Sequence, residues 1–260
     1  MQLLFLMVRA IFLHLDTYVE CIASNTMDIE DVIEMVTNIY KKNARSVKFD
    51  NSIITDFNKA RAELRARLVN TQKNEDILFN VPHREFLDLS IVYVLEVNAG
   101  CGELSGSICV TNEHMKLWGV DENDLYNQVK ENMYSKDEGC IESMYDILCN
   151  MAKPEICEFM SPNVPDIYVI TNKKKVNGAV EIINEKALKR FADMVKKDIV
   201  VIPSSVHECI LIPIDGTQQN MDTLQRMVSE VNNTQLDEED ILSYHVYKYE
   251  RVSGQITIAA

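Results

Sequence analysis

Two short apolar runs, Ile199–Pro203 and Cys209–Ile214, constrain this chain more than any other feature. Each is a nearly unbroken apolar string of the kind a buried strand carries. The polar segment Ser204–Glu208 between them has room only for a turn, so the two runs fold back on each other as a hairpin. The other expected strands follow the same plan. Phe86–Val97 alternates, with Leu87, Leu89, Ile91, Tyr93, Leu95 and Val97 on one face and Asp88, Ser90 and Glu96 on the other. Beyond the Ala99-Gly100-Cys101-Gly102 loop, Ser107–Thr111 is its hairpin partner. Ile167–Thr171 and Ala179–Ile183 read as a second hairpin turned at Lys173–Gly178, and Tyr244–Glu250 as a final strand.

Helical periodicity fills the intervals. Ile29, Val32, Ile33, Val36, Ile39 and Tyr40 define an amphipathic helix from Asp28 to Lys41, acidic in its first turn and basic in its last. A second helix is expected over Thr55–Gln72, with Phe57, Ala60, Leu64 and Leu68 inward and Arg61, Arg65 and Arg67 solvated. Val81-Pro82 breaks that pattern. A short helix follows Asn112-Glu113 and stops at Gly119. Asp121 caps the next one, to Met133, and Ile141, Met144, Tyr145 and Leu148 mark another. Later helices are expected over Asn184–Lys197, Met221–Val231 and Leu236–Leu242.

This order gives an α+β fold of mainly antiparallel sheets from β-hairpins with packed helices, not the strand–helix alternation of a Rossmann fold. The expected organisation is a mostly helical region over 1–80, a first hairpin–helix unit over 81–153 and a second over 154–260. Pro154, Pro162 and Pro165 mark the linker between Lys153 and Asp166. Val110-Thr111-Asn112-Glu113 and Ile182-Ile183-Asn184-Glu185 form an internal echo, a candidate ββα pseudo-repeat, in which Asn is expected to cap each helix.

Charge and cysteine usage narrow the setting. Forty acids against 26 bases give a formal charge of −14, which repels nucleic-acid phosphates. The seven cysteines are irregularly spaced and contain no C-x-x-C, the pattern of reduced cytosolic thiols. Met1–Leu15 is apolar but too short to span a bilayer and lacks the basic start of a signal peptide, so it is read as a buried strand or helix. A cytoplasmic protein with no membrane partner is expected.

One cluster carries the residue types of catalysis. Ser204, Ser205, His207 and Glu208 lie between two strands, where a serine and a histidine could act as nucleophile and base. No G-x-S-x-G elbow accompanies them, and neighbouring His207 and Glu208 in extended chain face opposite ways. A polar turn with its hydroxyls and imidazole bonded to backbone is the simpler reading. His14, His83, His114, His207 and His245 show no metal-ligand spacing, and Asp237–Asp240 lacks the alternating oxygens of a calcium loop. No phosphate-binding glycine motif occurs, so neither a cofactor nor a metal is expected. Lys173-Lys174-Lys175 is a solvated hairpin tip.

Three stretches, Pro82-His83-Arg84-Glu85-Phe86-Leu87-Asp88-Leu89, Asn112-Glu113-His114-Met115-Lys116-Leu117-Trp118-Gly119 and Ile202-Pro203-Ser204-Ser205-Val206-His207-Glu208, carry a resemblance. With Thr171-Asn172 and Val246-Tyr247-Lys248-Tyr249, they resemble an uncharacterised domain-of-unknown-function family of bacterial proteins, mostly from anaerobic clostridial Gram-positives. The resemblance covers about Leu15 to Arg251. The hairpin–Asn-Glu–helix plan is more distantly similar to another uncharacterised, bacillus-type family. It implies a cytoplasmic bacterial protein and assigns no catalytic residue or ligand.

The functional expectation is therefore a non-enzymatic interaction or regulatory module that binds another protein. Its contact surface is expected to be an exposed face of Tyr244–Glu250, with Tyr247 and Tyr249, or of the Ile199–Ile214 hairpin, used for edge pairing. The alternative is a hydrolase-like enzyme centred on Ser204, Ser205, His207 and Glu208, with His83 or His114 brought near by the fold.

Overall fold

The computed structural model describes Asp28, Ile33 and residues 52–98, 105–136, 139–151, 166–215 and 221–260. The apolar start, all but Asp28 and Ile33 of the helix expected over Asp28–Lys41, the Ala99–Gly102 loop and most of the proline-rich linker lie outside the described residues. The chain divides into two compact units, 1–63 with 95–108 and 64–94 with 109–260.

In the first unit the described helices are α1 (Ser52–Thr55) and α2 (Phe57–Ala60). The Asp56 carboxylate caps α2 by accepting from the Asn58 amide at 2.9 Å. Lys59 Nζ ties the pair together through Ser52 Oγ at 2.8 Å.

The helix expected to continue to Gln72 ends here. A 3-10 turn over Arg61–Glu63 leads into strand β1 (Leu64–Asn70). Leu64 and Leu68 are four apart and satisfy a helical period and a strand period equally. Ala66, buried between them, decides for the strand, with Arg65 and Arg67 half-buried on the other face.

In chain order β1 is followed by α3 (Glu75–Leu78), β2 (His83–Phe86) and β3, which starts at Leu89 and runs to Asn98. The single strand expected over Phe86–Val97 is thus broken at Leu87-Asp88, where Leu87 adopts φ +59° to turn β2 onto β3. β3 is buried on both faces from Leu89 to Leu95, Ser90 included. β4 (Ser105–Cys109) pairs with β3 in a sheet ordered β1-β3-β2.

Helices α4 (Asn112–Trp118) and α5 (Glu122–Lys136) follow as expected. Gly119 ends α4 in the left-handed region at φ +68°, and Asp121 and Asp124 cap α5 reciprocally. Ile141, expected in a helix, lies in β5 (Gly139–Ser143), and α6 (Met144–Met151) begins beyond it.

The six-stranded sheet has the order β10-β9-β7-β8-β6-β5. Its strands are β5, β6 (Tyr168–Asn172), β7 (Asp198–Ile202), β8 (Cys209–Ile214), β9 (Tyr247–Tyr249) and β10 (Ile256–Ile258), and every pairing is antiparallel. The expected hairpin of β7 and β8 is present, with Ile202 opposite Ile210. Ile199, Val200 and Val201 are wholly buried, so β7 is covered on both faces, and that is why its sequence does not alternate.

The second expected hairpin is absent. Gly178–Ile183 is a 3-10 helix with every residue buried, and β6 pairs instead with β5 and β8. A continuous buried apolar run carries no period with which to tell the two apart. Asn184 then caps α7 (Glu185–Val195), its side chain accepting from the Ala187 amide at 3.1 Å.

The internal echo fails with that hairpin. In the first copy the cap is Thr111, one residue earlier than the expected Asn112. α8 (Met221–Gln235) packs Met221, Leu224 and Val228 over Val200, Ile214 and Val246. Leu236–Leu242 is not helical; Asp237–Asp240 forms a turn closed by the Asp240 amide on Asp237 O. Beyond β9 a further turn with Gly254 at φ +71° returns the chain as β10.

Candidate functional site

The segment between β7 and β8 is held from three directions. The Ser205 amide donates to Glu208 O at 3.2 Å and Ser205 Oγ accepts from the His207 amide at 3.1 Å, which closes the turn on itself. The Val206 amide reaches Asp240 O at 3.0 Å. Thr171 Oγ1 donates to His207 O at 2.8 Å.

On the ring, His207 Nδ1 accepts from the Asn177 amide at 3.1 Å, so the ring proton sits on Nε2, which lies 3.6 Å from Asp240 Oδ1. That leaves no free ring lone pair to take a proton from Ser204 or Ser205. Ser205 Oγ serves the backbone, and Ser204 takes no part in the network.

Glu208 contributes its carbonyl to the turn, and its charge adds to the burial that pushes the Cys209 thiol far above the ordinary range. The geometry is a junction of three loops, not a nucleophile and its base.

Gly178 shows how tight the junction is. A β-carbon there would stand 2.6 Å from Asn172 N and 2.7 Å from His207 O. The preceding turn carries Lys175 and Asn177 at φ +53° and +52°, and Asn172 bridges it by donating to Val176 O at 2.8 Å. Lys173, Lys174 and Lys175 are exposed on this tip, as their sequence position implies.

His114 is built into a different network. At the third position of α4, its Nδ1 accepts from the Thr111 amide at 2.9 Å, while Thr111 Oγ1 accepts from the His114 amide at 3.4 Å. This is a capping box with imidazole in place of the usual carboxamide or carboxylate. The ring is buried, stacks on Trp118 at 5.4 Å, and its Nε2 has no hydrogen-bond partner. Burial holds its pKa below the ordinary histidine value.

His83 is exposed on β2 with Nδ1 at Val81 O, and His245 Nδ1 faces Ala260 O. His83, His114, His207 and His245 thus sit in four separate local networks. Among the described residues no three of the His, Cys, Asp and Glu side chains are grouped to hold a metal ion.

Tyr247 and Tyr249 are not surface residues. Their exposures are 0% and 2%, and β9 has β7 on one edge and β10 on the other, so it offers no free edge for pairing. The Tyr247 hydroxyl donates to Asp88 Oδ1 at 2.6 Å, and Ser243 Oγ donates to Asp88 Oδ2 at 2.7 Å. One face of the strand was expected to be free for a partner, whereas both tyrosines are packed inward and Lys248 lies between them. That lysine answers Asp198 at 3.0 Å beside the core.

Two features were not anticipated from sequence. Arg84 forms a two-pronged pair with Glu122, at 3.0 and 2.7 Å, and lies over the Tyr126 ring at 3.9 Å, while buried Tyr93 donates to the same carboxylate. Lys130, one turn further along α5, reaches Ile183 O and Glu185 Oε1, both at 3.0 Å.

The second is a displayed apolar turn. Ile77 is 54% exposed and Phe79 84%, whereas Leu78 between them is buried. The turn is ordered by its own bonds, Phe79 N to Glu75 O and Asn80 N to Ile77 O. The sequence signal for it is the pair Glu75-Asp76 at a helix start followed by apolar residues out of phase with one buried stripe.

Comparison with known proteins identifies one family. Residues 9–251 match the model of a family described as being of unknown function (DUF5688). No curated protein and no solved structure matches the chain.

Proposed function

The chain belongs to the DUF5688 family, whose description assigns no activity, and from its own surface we propose that it is a non-enzymatic interaction module of the bacterial cytosol with Ile77 and Phe79 as its contact anchor. The observation that carries this reading is the display of a nearly fully exposed aromatic by a hydrogen-bonded turn. An aromatic displayed in water is costly to solvate, and the hydrogen-bonded backbone beneath it has little conformational freedom left to lose on burial against a partner. The cytosolic setting is supported by the reduced thiols of Cys140 and Cys209. No described helix is long and apolar enough to cross a membrane.

The contact is moved here from Tyr247 and Tyr249 because both rings are core residues. The hydrolase alternative at Ser204, Ser205, His207 and Glu208 draws no support from the loop, since the hydroxyl and the ring that would react both serve backbone amides.

A photo-crosslinking phenylalanine analogue at position 79, in cells of the source organism, tests the proposal. Val252 is the control, being 86% exposed on the turn between β9 and β10. A discrete adduct at 79 and none at 252 is the expected result. Equal labelling at both sites, or an adduct that survives Ile77→Ser, would mean that exposure alone is being read.

A further inference from the structure

The apolar turn and the start of α4 share hydrogen bonds. The Asn112 amide donates to Asn80 O at 3.2 Å, and Asn112 Nδ2 donates to Phe79 O at 3.4 Å. The first residue of α4 therefore holds the carbonyl side of the displayed turn. Asn112 is itself fixed by the capping box on either side of it, where the Thr111 amide needs a lone pair on His114 Nδ1. A glutamine in that position would supply such a lone pair at every pH, whereas histidine supplies it only when neutral.

We propose that His114 is an acid-released latch on the Ile77–Asn80 contact turn: a proton taken from solvent onto Nδ1 removes the acceptor of the Thr111 amide, opens the capping box and frees Asn112 from Phe79 and Asn80. This rests on the reading of that turn as the contact surface.

The imidazolium cannot keep the bond from the Thr111 amide that closes the cap. Its Nδ1–H would face the Thr111 N–H. Thr111 Oγ1, at 3.0 Å, could accept it on its second lone pair beside the bond from the His114 amide, but the Thr111 amide would still lose its acceptor. Nε2–H already lacks an acceptor, in a ring only 3% exposed.

Neighbouring charges offer no compensation. Glu113 and Lys116 on α4 answer each other at 2.7 Å in solvent. Glu75 and Asp76 stand exposed on α3, Glu122 on α5 is taken by Arg84 and Tyr93, and Asp121 and Asp124 cap α5. Burial is the one influence on the ring, and it disfavours the charged form.

Trp118 is the sole tryptophan, and it stacks on His114, so its emission reports the charge on the ring through quenching by imidazolium. The test follows that emission together with amide hydrogen exchange, corrected to protection factors, in the full chain and in His114→Gln. Both run from about pH 7.5 to about pH 4, through the ordinary histidine range and below it, because burial lowers the folded value.

The expected result in the parent chain is quenching of Trp118 and a loss of at least about tenfold in protection at the Thr111 and Asn112 amides, with Val200 and Val201 of β7 unchanged. His114→Gln should show neither change. The proposal is overturned by constant protection at Thr111 and Asn112, by the same loss in His114→Gln, or by a parallel loss at Val200 and Val201, which is global unfolding.

Crosslinking at position 79 separates the two proposals. An adduct equally strong at both ends of the pH range overturns the latch and leaves the contact standing. Opening of the cap without an adduct at any pH supports the latch and removes the contact.

Discussion

Replacing Tyr247 by Phe deletes one oxygen from β9, and the structure names what that oxygen holds. Its hydroxyl donates to Asp88 Oδ1 at 2.6 Å, while Ser243 Oγ occupies the other carboxylate oxygen at 2.7 Å. Hydrogen bonds to charged groups are worth about 1.5–3 kcal/mol. Asp88 is half-buried, so water can replace part of the lost bond, and the lower end of that range, about 1.5 kcal/mol, is expected. Tyr247→Ala removes the ring as well. A wholly buried aromatic cut to Ala costs about 3–5 kcal/mol, a large part of the 5–15 kcal/mol that holds a typical domain together. The assay is urea unfolding followed by far-ultraviolet circular dichroism, with the slope compared between variants so that midpoints can be converted to free energy. A Phe variant within about 0.3 kcal/mol of the parent would show that the Asp88 contact contributes nothing. An Ala variant within about 1 kcal/mol would refute the placement of β9 in the core. It would also revive the idea that these tyrosines face a partner.

Three further outcomes are expected. Gly178→Ala should destabilise by about 2 kcal/mol or more, because the new carbon meets the backbone atoms Asn172 N and His207 O, which cannot swing away, as well as the Thr171 hydroxyl; a thermal melt unchanged from the parent would refute the close approach. Arg84→Lys loses the two-pronged grip on Glu122 and the stack on Tyr126, and with both partners partly solvated the expected cost is about 1 kcal/mol in urea, against nothing if the contact is ornamental. His114 has its folded-state pKa lowered by burial, so the unfolded chain binds the proton more readily. Its contribution is complete above about pH 6.5 and is lost as the pH falls from there through the folded value. Urea midpoints should therefore fall more steeply with acid in the parent than in His114→Gln, and parallel curves would refute this.

The fold class was legible because its strongest signals were local. The β7–β8 hairpin is two apolar runs with a polar turn, α7 is an Asn cap followed by a clear inward stripe, and Gly119 stops α4 where a left-handed residue is required. What failed was legible in two ways at once. Leu64 and Leu68 fit a helix and a strand alike, and nothing local weighs Ala66 more than Ala60. Ala179–Ile183 has no polar side to give a period, and the close approach of Gly178 to β6 and to His207, which sets the direction of entry, is a long-range contact. β9 was expected to keep one face exposed for a related reason: the partner that makes a buried tyrosine hydroxyl tolerable, Asp88, is far away in sequence.

The two histidines that stood out in sequence share one chemical role, and it is not the one their residue types first bring to mind. Both present Nδ1 to a backbone amide, His207 to Asn177 and His114 to Thr111, and so both serve as uncharged acceptors at a turn. A carboxylate in either place would be a stronger acceptor, but it would add charge to a chain already at −14, and in the case of His114 would bury it. A carboxamide would match the acceptor without the charge. Imidazole differs from it in one respect that matters here: the lone pair is withdrawn when a proton is added. His207 keeps Asp240 Oδ1 3.6 Å from its other nitrogen. His114 has no such carboxylate, so a proton on its ring acts on the cap of α4 alone and, through Asn112, on the turn that displays Phe79.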